Sequence, residues 1–235
     1  MLRLENVQVD NGGFALRADL RVETGCKLAV IGPSGAGKST LVEMIAGFLP
    51  PVSGRVMWHG ADITRDPPGI RPVAMLFQDG NLFPHLNVAD NVGLGLRPDL
   101  RLDTAQKDQV ARAIDRVGLQ GLETRKPAAL SGGQQSRAAL ARLLVQARAL
   151  VLLDEPFAAL GPALRDEMLD LVAGLVDETG ATLLMVSHDP GDARRIADQV
   201  LLVIDGQAHA PADTAAVLDD PPAALRAYLG NRSKP

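Results

Sequence analysis

Leu28-Ala-Val-Ile-Gly-Pro-Ser-Gly-Ala-Gly-Lys-Ser-Thr-Leu-Val-Glu-Met-Ile-Ala46 decides the reading of this chain. Leu28–Ile31 is an apolar run that predicts a strand, and Leu41–Ala46 has helical spacing. Between them stands the pattern G-x-x-x-x-G-K-[ST]. Gly32, Gly35 and Gly37 lack a Cβ, so the backbone can curl and aim its N–H groups at an anion. A helix beginning near Lys38 adds the positive end of its dipole. Lys38 can reach the β- and γ-phosphates of a nucleotide, and the Ser39 hydroxyl can ligate Mg²⁺. A glycine-rich turn that binds nothing is the alternative. The complete spacing in a strand–helix setting favours a nucleoside triphosphate.

Outward from this loop, the first third of the chain reads as strands. One begins with Leu2, Leu4 and Val7, a second spans Phe14–Val22, a third Arg55–Trp58, and Val73–Phe77 is short and buried. The middle is helical. Asp103-Thr-Ala-Gln106 resembles a capping box ahead of Val110, Ile114 and Val117 on one face, and a long helix follows Ser131. The last third alternates strands at 151–153, 182–186 and 200–204 with helices at 163–178 and 190–197. Such alternation predicts a parallel sheet with ligands at the carboxyl ends of its strands.

Two further stretches carry chemistry. In Ala149-Leu-Val-Leu-Leu-Asp154-Glu155-Pro156 an apolar strand ends in two carboxylates. Asp154 is placed to hold a Mg²⁺ shell, and Glu155 to orient or activate the water that attacks a γ-phosphate. In Leu130-Ser131-Gly132-Gly133-Gln134, Ser131 is a good N-cap and the glycines expose N–H groups. This is either an ordinary helix start or a second anion site, one that could act on the triphosphate of another copy of the chain.

Composition narrows the classes. The chain has 235 residues, 46% hydrophobic and 22% charged, with a net charge of −4. That balance gives no support for nucleic-acid binding through a basic surface. Cys26 is the single cysteine, which excludes an intrachain disulfide and a cysteine metal cluster. The first residues, Met1-Leu-Arg-Leu-Glu-Asn, lack a signal-peptide apolar core, and no apolar run approaches the ~18 residues that span a bilayer. Any membrane-spanning part is expected from another chain.

Together the three motifs resemble the ATP-binding-cassette ATPases, over essentially the whole chain. LSGGQ shortly before an apolar D-E-P strand is far more specific than the phosphate loop alone. Gln78, after Val73–Phe77, matches the family glutamine that senses Mg²⁺ and attacking water. His188, in Met185-Val-Ser-His188, matches the switch histidine that contacts the γ-phosphate. The resemblance implies an α/β fold: a P-loop NTPase (RecA-like) core with an N-terminal antiparallel β-subdomain and an inserted helical subdomain. It implies one domain over 1–235, with about 86–145 as the helical part and about 1–85 and 146–235 as the rest. ATP and Mg²⁺ are the implied cofactors and ATP hydrolysis the implied activity. Glu155, His188 and Gln78 would be catalytic. Gly32, Pro33, Ser34, Gly35, Ala36, Gly37, Lys38, Ser39 and Thr40, with Gln78, would hold the nucleotide, and Ser39, Gln78 and Asp154 the metal. In a head-to-tail dimer, Ser131, Gly132, Gly133 and Gln134 would complete the site of the second copy.

Residues 75–96, 163–169 and 182–188 resemble the ATPase subunits of bacterial thiamine importers. Iron, sulfate and polyamine importers share much of this text and remain alternatives, as does a soluble cassette ATPase unconnected with transport. The resemblance implies an integral membrane permease as partner, a periplasmic substrate-binding protein as indirect partner, and a peripheral position on the cytoplasmic face of the inner membrane. Residues 79–92 are the expected coupling surface, with Phe83, Pro84 and Leu86 facing a permease helix, or Phe83 and Leu86 serving instead as internal core. Two departures stand out. The window where the family stacks an aromatic on adenine holds Val9, Asp10, Asn11, Gly12 and Gly13. Phe14 lies slightly late, and its alternation with Leu16 suggests core. In Ala158-Ala159-Leu160-Gly161, glycine replaces the family aspartate. Gln135 and Ser136 also stand where basic and polar residues are usual.

Overall fold

The computed structural model describes residues 1–78, 82–223, 225 and 226, with the backbone alone at Asn11. The antiparallel pair β1 (Leu2–Asn11) and β2 (Phe14–Val22) sets Leu2 opposite Val22 and Asn11 opposite Phe14. β2 alternates buried and exposed residues, as a strand with one solvated face must. β3 (Lys27–Ile31) then leads through the glycine loop into α1 (Lys38–Ala46). β4 (Ser53–Trp58) and β5 (Ala61–Asp62) return to the first pair, and β6 (Val73–Leu76) enters the parallel region.

Helices follow: α2 (Val88–Gly93), α3 (Thr104–Arg116) and α4 (Gly132–Val145). The capping box at α3 is real. Asp103 Oδ1 accepts from Gln106 N at 2.8 Å and Gln106 Oε1 from Asp103 N at 3.0 Å. The chain then alternates through β7 (Leu150–Asp154), α5 (Pro162–Thr179), β8 (Thr182–Val186), α6 (Pro190–Ile196) and β9 (Gln199–Ile204). β10 (Gln207–Ala208), β11 (Ala212–Asp213) and α7 (Thr214–Asp219) complete it.

Among the described residues, eleven strands share one sheet in the order β5-β4-β1-β2-β10-β9-β3-β8-β7-β6, with β11 beside β9. β9, β3, β8, β7 and β6 run parallel. The short β10 joins them to the antiparallel end, pairing with β2 on one side and β9 on the other. β7 and β8 are buried at every residue, which is why they read as unbroken apolar runs. Apolar side chains gather in three clusters. One packs α2–α5 on the sheet, one joins α1 to the antiparallel strands, and one lies under α6 and α7. Arg71, 1% exposed, donates to the carbonyls of Met44, Ile45, Thr64 and Asp66 and so closes the C-terminal end of α1. This is the P-loop NTPase architecture of an ATP-binding cassette, with the β-subdomain and the inserted helices that the motifs imply. Among the described residues no helix is long and apolar enough to cross a membrane.

Candidate nucleotide site

Three adjacent strands, β3, β8 and β7, deliver their carboxyl ends to one place. The pairings Val30–Val186 and Asp154–Val186 put the phosphate loop, Ser187–His188 and Asp154–Glu155 at the same level of the sheet. An open cleft of about 320 Å³ there is lined by Phe14, Ser34, Gly35, Gly37, Lys38, Ser39, Thr40 and Glu155.

The glycines of the loop are required by their surroundings. A Cβ on Gly32 would stand 2.0 Å from the carbonyl oxygen of Val203, so β9 leaves no space for a side chain. Gly37 has φ +106° and caps α1, and a Cβ there would meet the Phe14 ring at 2.9 Å. Lys38 is buried and donates from Nζ to the carbonyls of Gly32 and Pro33, each at 2.9 Å. Burial pulls its pKa below the ordinary value, and the nearby charges of Glu155 and Asp154 oppose that shift. The ammonium thus lies folded along the loop, ready to exchange carbonyls for phosphate oxygens.

Ser39 donates from Oγ to Asp154 Oδ1 at 3.1 Å. Burial raises the Asp154 pKa; the Ser39 bond lowers it, the Glu155 charge raises it and Lys38 lowers it. Glu43, one turn beyond Ser39 on α1, is also pushed up, by burial and then by the Asp154 charge. The Asp154 carboxylate and the Ser39 hydroxyl are hard oxygen donors, the kind that suits Mg²⁺. Glu155 follows Asp154 with φ +45°, a left-handed backbone that costs a non-glycine residue about 1 kcal/mol or more. Its N–H donates to Val186 O at 3.2 Å, and its Oε2 lies 3.3 Å from His188 Nδ1.

The remaining expected residues are placed elsewhere. Gln78 is exposed after β6, the strand beside β7, and does not line the cleft. Ser131, Gly132, Gly133 and Gln134 open α4 and also lie outside it. Ser131 is the N-cap there, its Oγ accepting from Gln134 N at 3.3 Å, and Ser131 and Gly132 are exposed. Gly133 is packed so tightly that a Cβ would meet Leu164 Cδ2 at 2.4 Å. Gln135 bonds the carbonyls of Pro127 and Leu130, and Ser136 bonds Gly132 O. Gly161 is the N-cap of α5 without a side-chain bond, and open space surrounds its Cβ position. Asp79, Gly80 and Asn81 of the expected coupling surface, and the side chain of Asn11, lie outside the described residues.

Three residues carry more than the sequence disclosed. Phe14 packs on the β-subdomain core and also borders the cleft, so its alternation with Leu16 described only half its role. Asn91, fully buried, accepts from Phe83 N at 2.7 Å and donates to the carbonyls of Phe83, Leu86 and Asn87 at 3.0–3.1 Å. Its position four residues after Asn87, the N-cap of α2, is the only local signal for it. Arg165, one turn into α5, reaches the segment around His188.

Residues 16–158 match the family described as ABC transporter. The chain is 63% identical over 230 residues to the thiamine import ATP-binding protein ThiQ of Ruegeria sp. (strain TM1040), covering 98% of this chain and all of that one. It is 58% identical over 230 residues to the protein of the same name from Cereibacter sphaeroides, with the same coverage. Among solved structures, the ATP-binding cassette MJ0796, seen as a dimer in a post-hydrolysis state bound to ADP and Pi, matches with TM-score 0.79 and 28% identity. That match covers 91% of this chain and 99% of MJ0796. By its motifs, its sheet and these likenesses, the chain belongs to the ABC transporter family and is an ATP-hydrolysing member of it.

Proposed function

We propose that this chain is the ATP-hydrolysing subunit of a bacterial importer for thiamine and its phosphates. The observation that carries the substrate is the near full-length identity to thiamine import ATP-binding proteins. The loop from Gly32 to Thr40 receives the triphosphate, with Lys38 on the β- and γ-phosphates. Ser39 and Asp154 would hold Mg²⁺, and Gln78, which stands outside the cleft, is the further expected ligand. Mg²⁺, when bound, neutralises charge developing on the transferred phosphate. Glu155 orients the attacking water and accepts its proton. His188, already against the Glu155 carboxylate, is placed to meet the γ-phosphate. Phe14 is the aromatic ring in the cleft lining on which the base stacks.

Two copies face each other so that Ser131, Gly132, Gly133 and Gln134 of one cover the triphosphate of the other. The dimeric state of MJ0796 supports this reading. The permease docks beside Gln78, at the cytoplasmic face of the membrane. There Phe48 is 54% exposed and Phe83 46%, and Phe48 stacks edge-on to Phe77 at 5.4 Å. Large aromatic rings left in water suit a partner helix. Thiamine itself meets the binding protein and the permease rather than this chain.

The test is transport by the assembled complex in vesicles loaded with ATP. The parent protein drives thiamine uptake. Glu155→Gln retains ATP binding and loses hydrolysis and uptake by ~10²-fold or more, the scale of a lost general base. Uptake of iron or a polyamine in place of thiamine overturns the substrate. Near-normal hydrolysis by the variant overturns the role of Glu155.

A further inference from the structure

The phosphate site is bordered by a closed ring of contacts that the proposed chemistry leaves unused. From Glu155 the chain runs through Pro156–Gly161 into α5, where Arg165 is anchored by its N–H on Gly161 O at 2.9 Å. The Arg165 guanidinium then crosses to the segment that carries His188. It lies 2.6 Å from Asp192 Oδ2 and 3.3 Å from Asp189 Oδ2. Asp192 Oδ2 also accepts from Ser187 Oγ at 2.5 Å. Ser187 Oγ in turn accepts from Asp189 N at 3.0 Å, and Ser187 N donates to Val30 O at 3.2 Å. Both neighbours of His188 are therefore held, and His188 Nδ1 closes the ring on Glu155. The void inside the ring is about 10 Å³, no more than one water could fill.

Holding α5 and α6 together does not explain these contacts. Arg195 already joins the two helices on the surface, through both oxygens of Asp170 at 2.7 and 2.6 Å and through Asp166 at 3.3 Å. Arg165 and Asp192 are mostly sheltered, and a sheltered ion pair contributes little net stability because desolvation offsets attraction. What the pair does specify is geometry. A planar guanidinium that meets Asp192 through one nitrogen and Asp189 through another fixes direction as well as distance.

We propose that Arg165 is a positioning residue for His188. It sets the switch histidine by clamping Asp189 and, through Asp192, Ser187, and it ties that setting to Pro156–Gly161, the segment that leads from Glu155 into α5. A shift of that segment moves α5, Arg165 and then His188 relative to Glu155. The inference rests on the role given to His188 above.

The test uses the full-length chain, with nucleotide affinity and steady-state hydrolysis measured separately. Arg165→Gln lowers kcat roughly tenfold or more, since misplacing a catalytic group by about an ångström costs up to ~10²-fold. ATP affinity stays within about twofold, because no Arg165 contact involves the phosphate loop. Arg165→Lys recovers part of the rate. In a His188→Ala background, Arg165→Gln changes kcat less than about twofold, the non-additivity expected of residues acting as a unit. Should Arg165→Gln fail to fold, Asp189→Asn removes one clamp while keeping the helix cap. It lowers kcat about threefold in the parent and leaves the His188→Ala protein unchanged. Equal losses in both backgrounds, or ATP affinity falling with kcat, overturn the positioning role alone. Undiminished turnover by His188→Ala overturns the role of His188 and this inference with it.

Discussion

Phe14 faces two ways at once, with one part of its ring on Gly37 and the apolar core and another on open cleft. It lines the same cleft as the phosphate loop and Glu155, and is the aromatic ring in that lining that a base could stack on. Aromatic stacking adds roughly 0.5–1.5 kcal/mol beyond plain burial. Phe14→Ala therefore lowers nucleotide affinity about two- to twelvefold, while Phe14→Tyr retains it, as read by fluorescent-nucleotide titration. Equal affinities in the alanine variant and the parent would place the base elsewhere. Sequence spacing left this residue undecided between core and ligand contact, because period-2 alternation reports which face of a strand a residue occupies. It does not report what stands above that face. Asp154 and Glu155 were legible for a different reason, since they close an apolar run, and Lys38 and Ser39 were legible from the spacing of the glycine loop.

At the scale of elements, α2 has only six residues yet organises the turn before it. Asn91 binds four backbone groups of residues 83–87, and this holds Phe83 outward on the surface proposed for the permease. Each such bond contributes about 1 kcal/mol, and buried groups left without a partner add to the loss. Asn91→Ala should cost about 2–4 kcal/mol of stability, measured by denaturant unfolding, and should weaken permease binding more than it lowers ATP affinity. Unchanged complex assembly by a folded Asn91→Ala protein would separate this turn from docking. The five parallel strands and the helices α1, α3, α4, α5 and α6 were readable from apolar runs, caps and periodicity. β5, β10 and β11, of two residues each, carry no period at all and exist through their neighbours. α2 was illegible because its buried asparagine looks, in sequence, like a solvated one.

The proposed dimer raises a question at the scale of the whole molecule: how one ATP site learns the state of the other. Gly161 has φ −66°, a conformation open to any residue, and nothing lies within 4 Å of a Cβ there. Gly161→Asp is therefore sterically free, and as an N-cap it changes stability by only a few tenths of a kcal/mol. A charge-assisted bond across the interface would contribute about 1.5–3 kcal/mol. The variant should dimerise on ATP roughly ten- to hundredfold more tightly, with a steeper dependence of rate on ATP, by analytical ultracentrifugation and kinetics. A small gain in melting temperature with unchanged dimerisation would leave Gly161 as a helix cap and nothing more. The strand order has its own consequence, in the time domain of synthesis. β3, which carries the phosphate loop, is flanked by β8 and β9, and β8 ends about 150 residues later in the chain. At ~5–20 residues per second a ribosome needs roughly 8–30 s to supply β8, and a few seconds more for β9. Through that interval the newborn chain already contains Lys38 and the glycine loop but has no sheet to set them in. Its nucleotide site is written early and assembled late, and until then β3 is an apolar segment without its parallel partners.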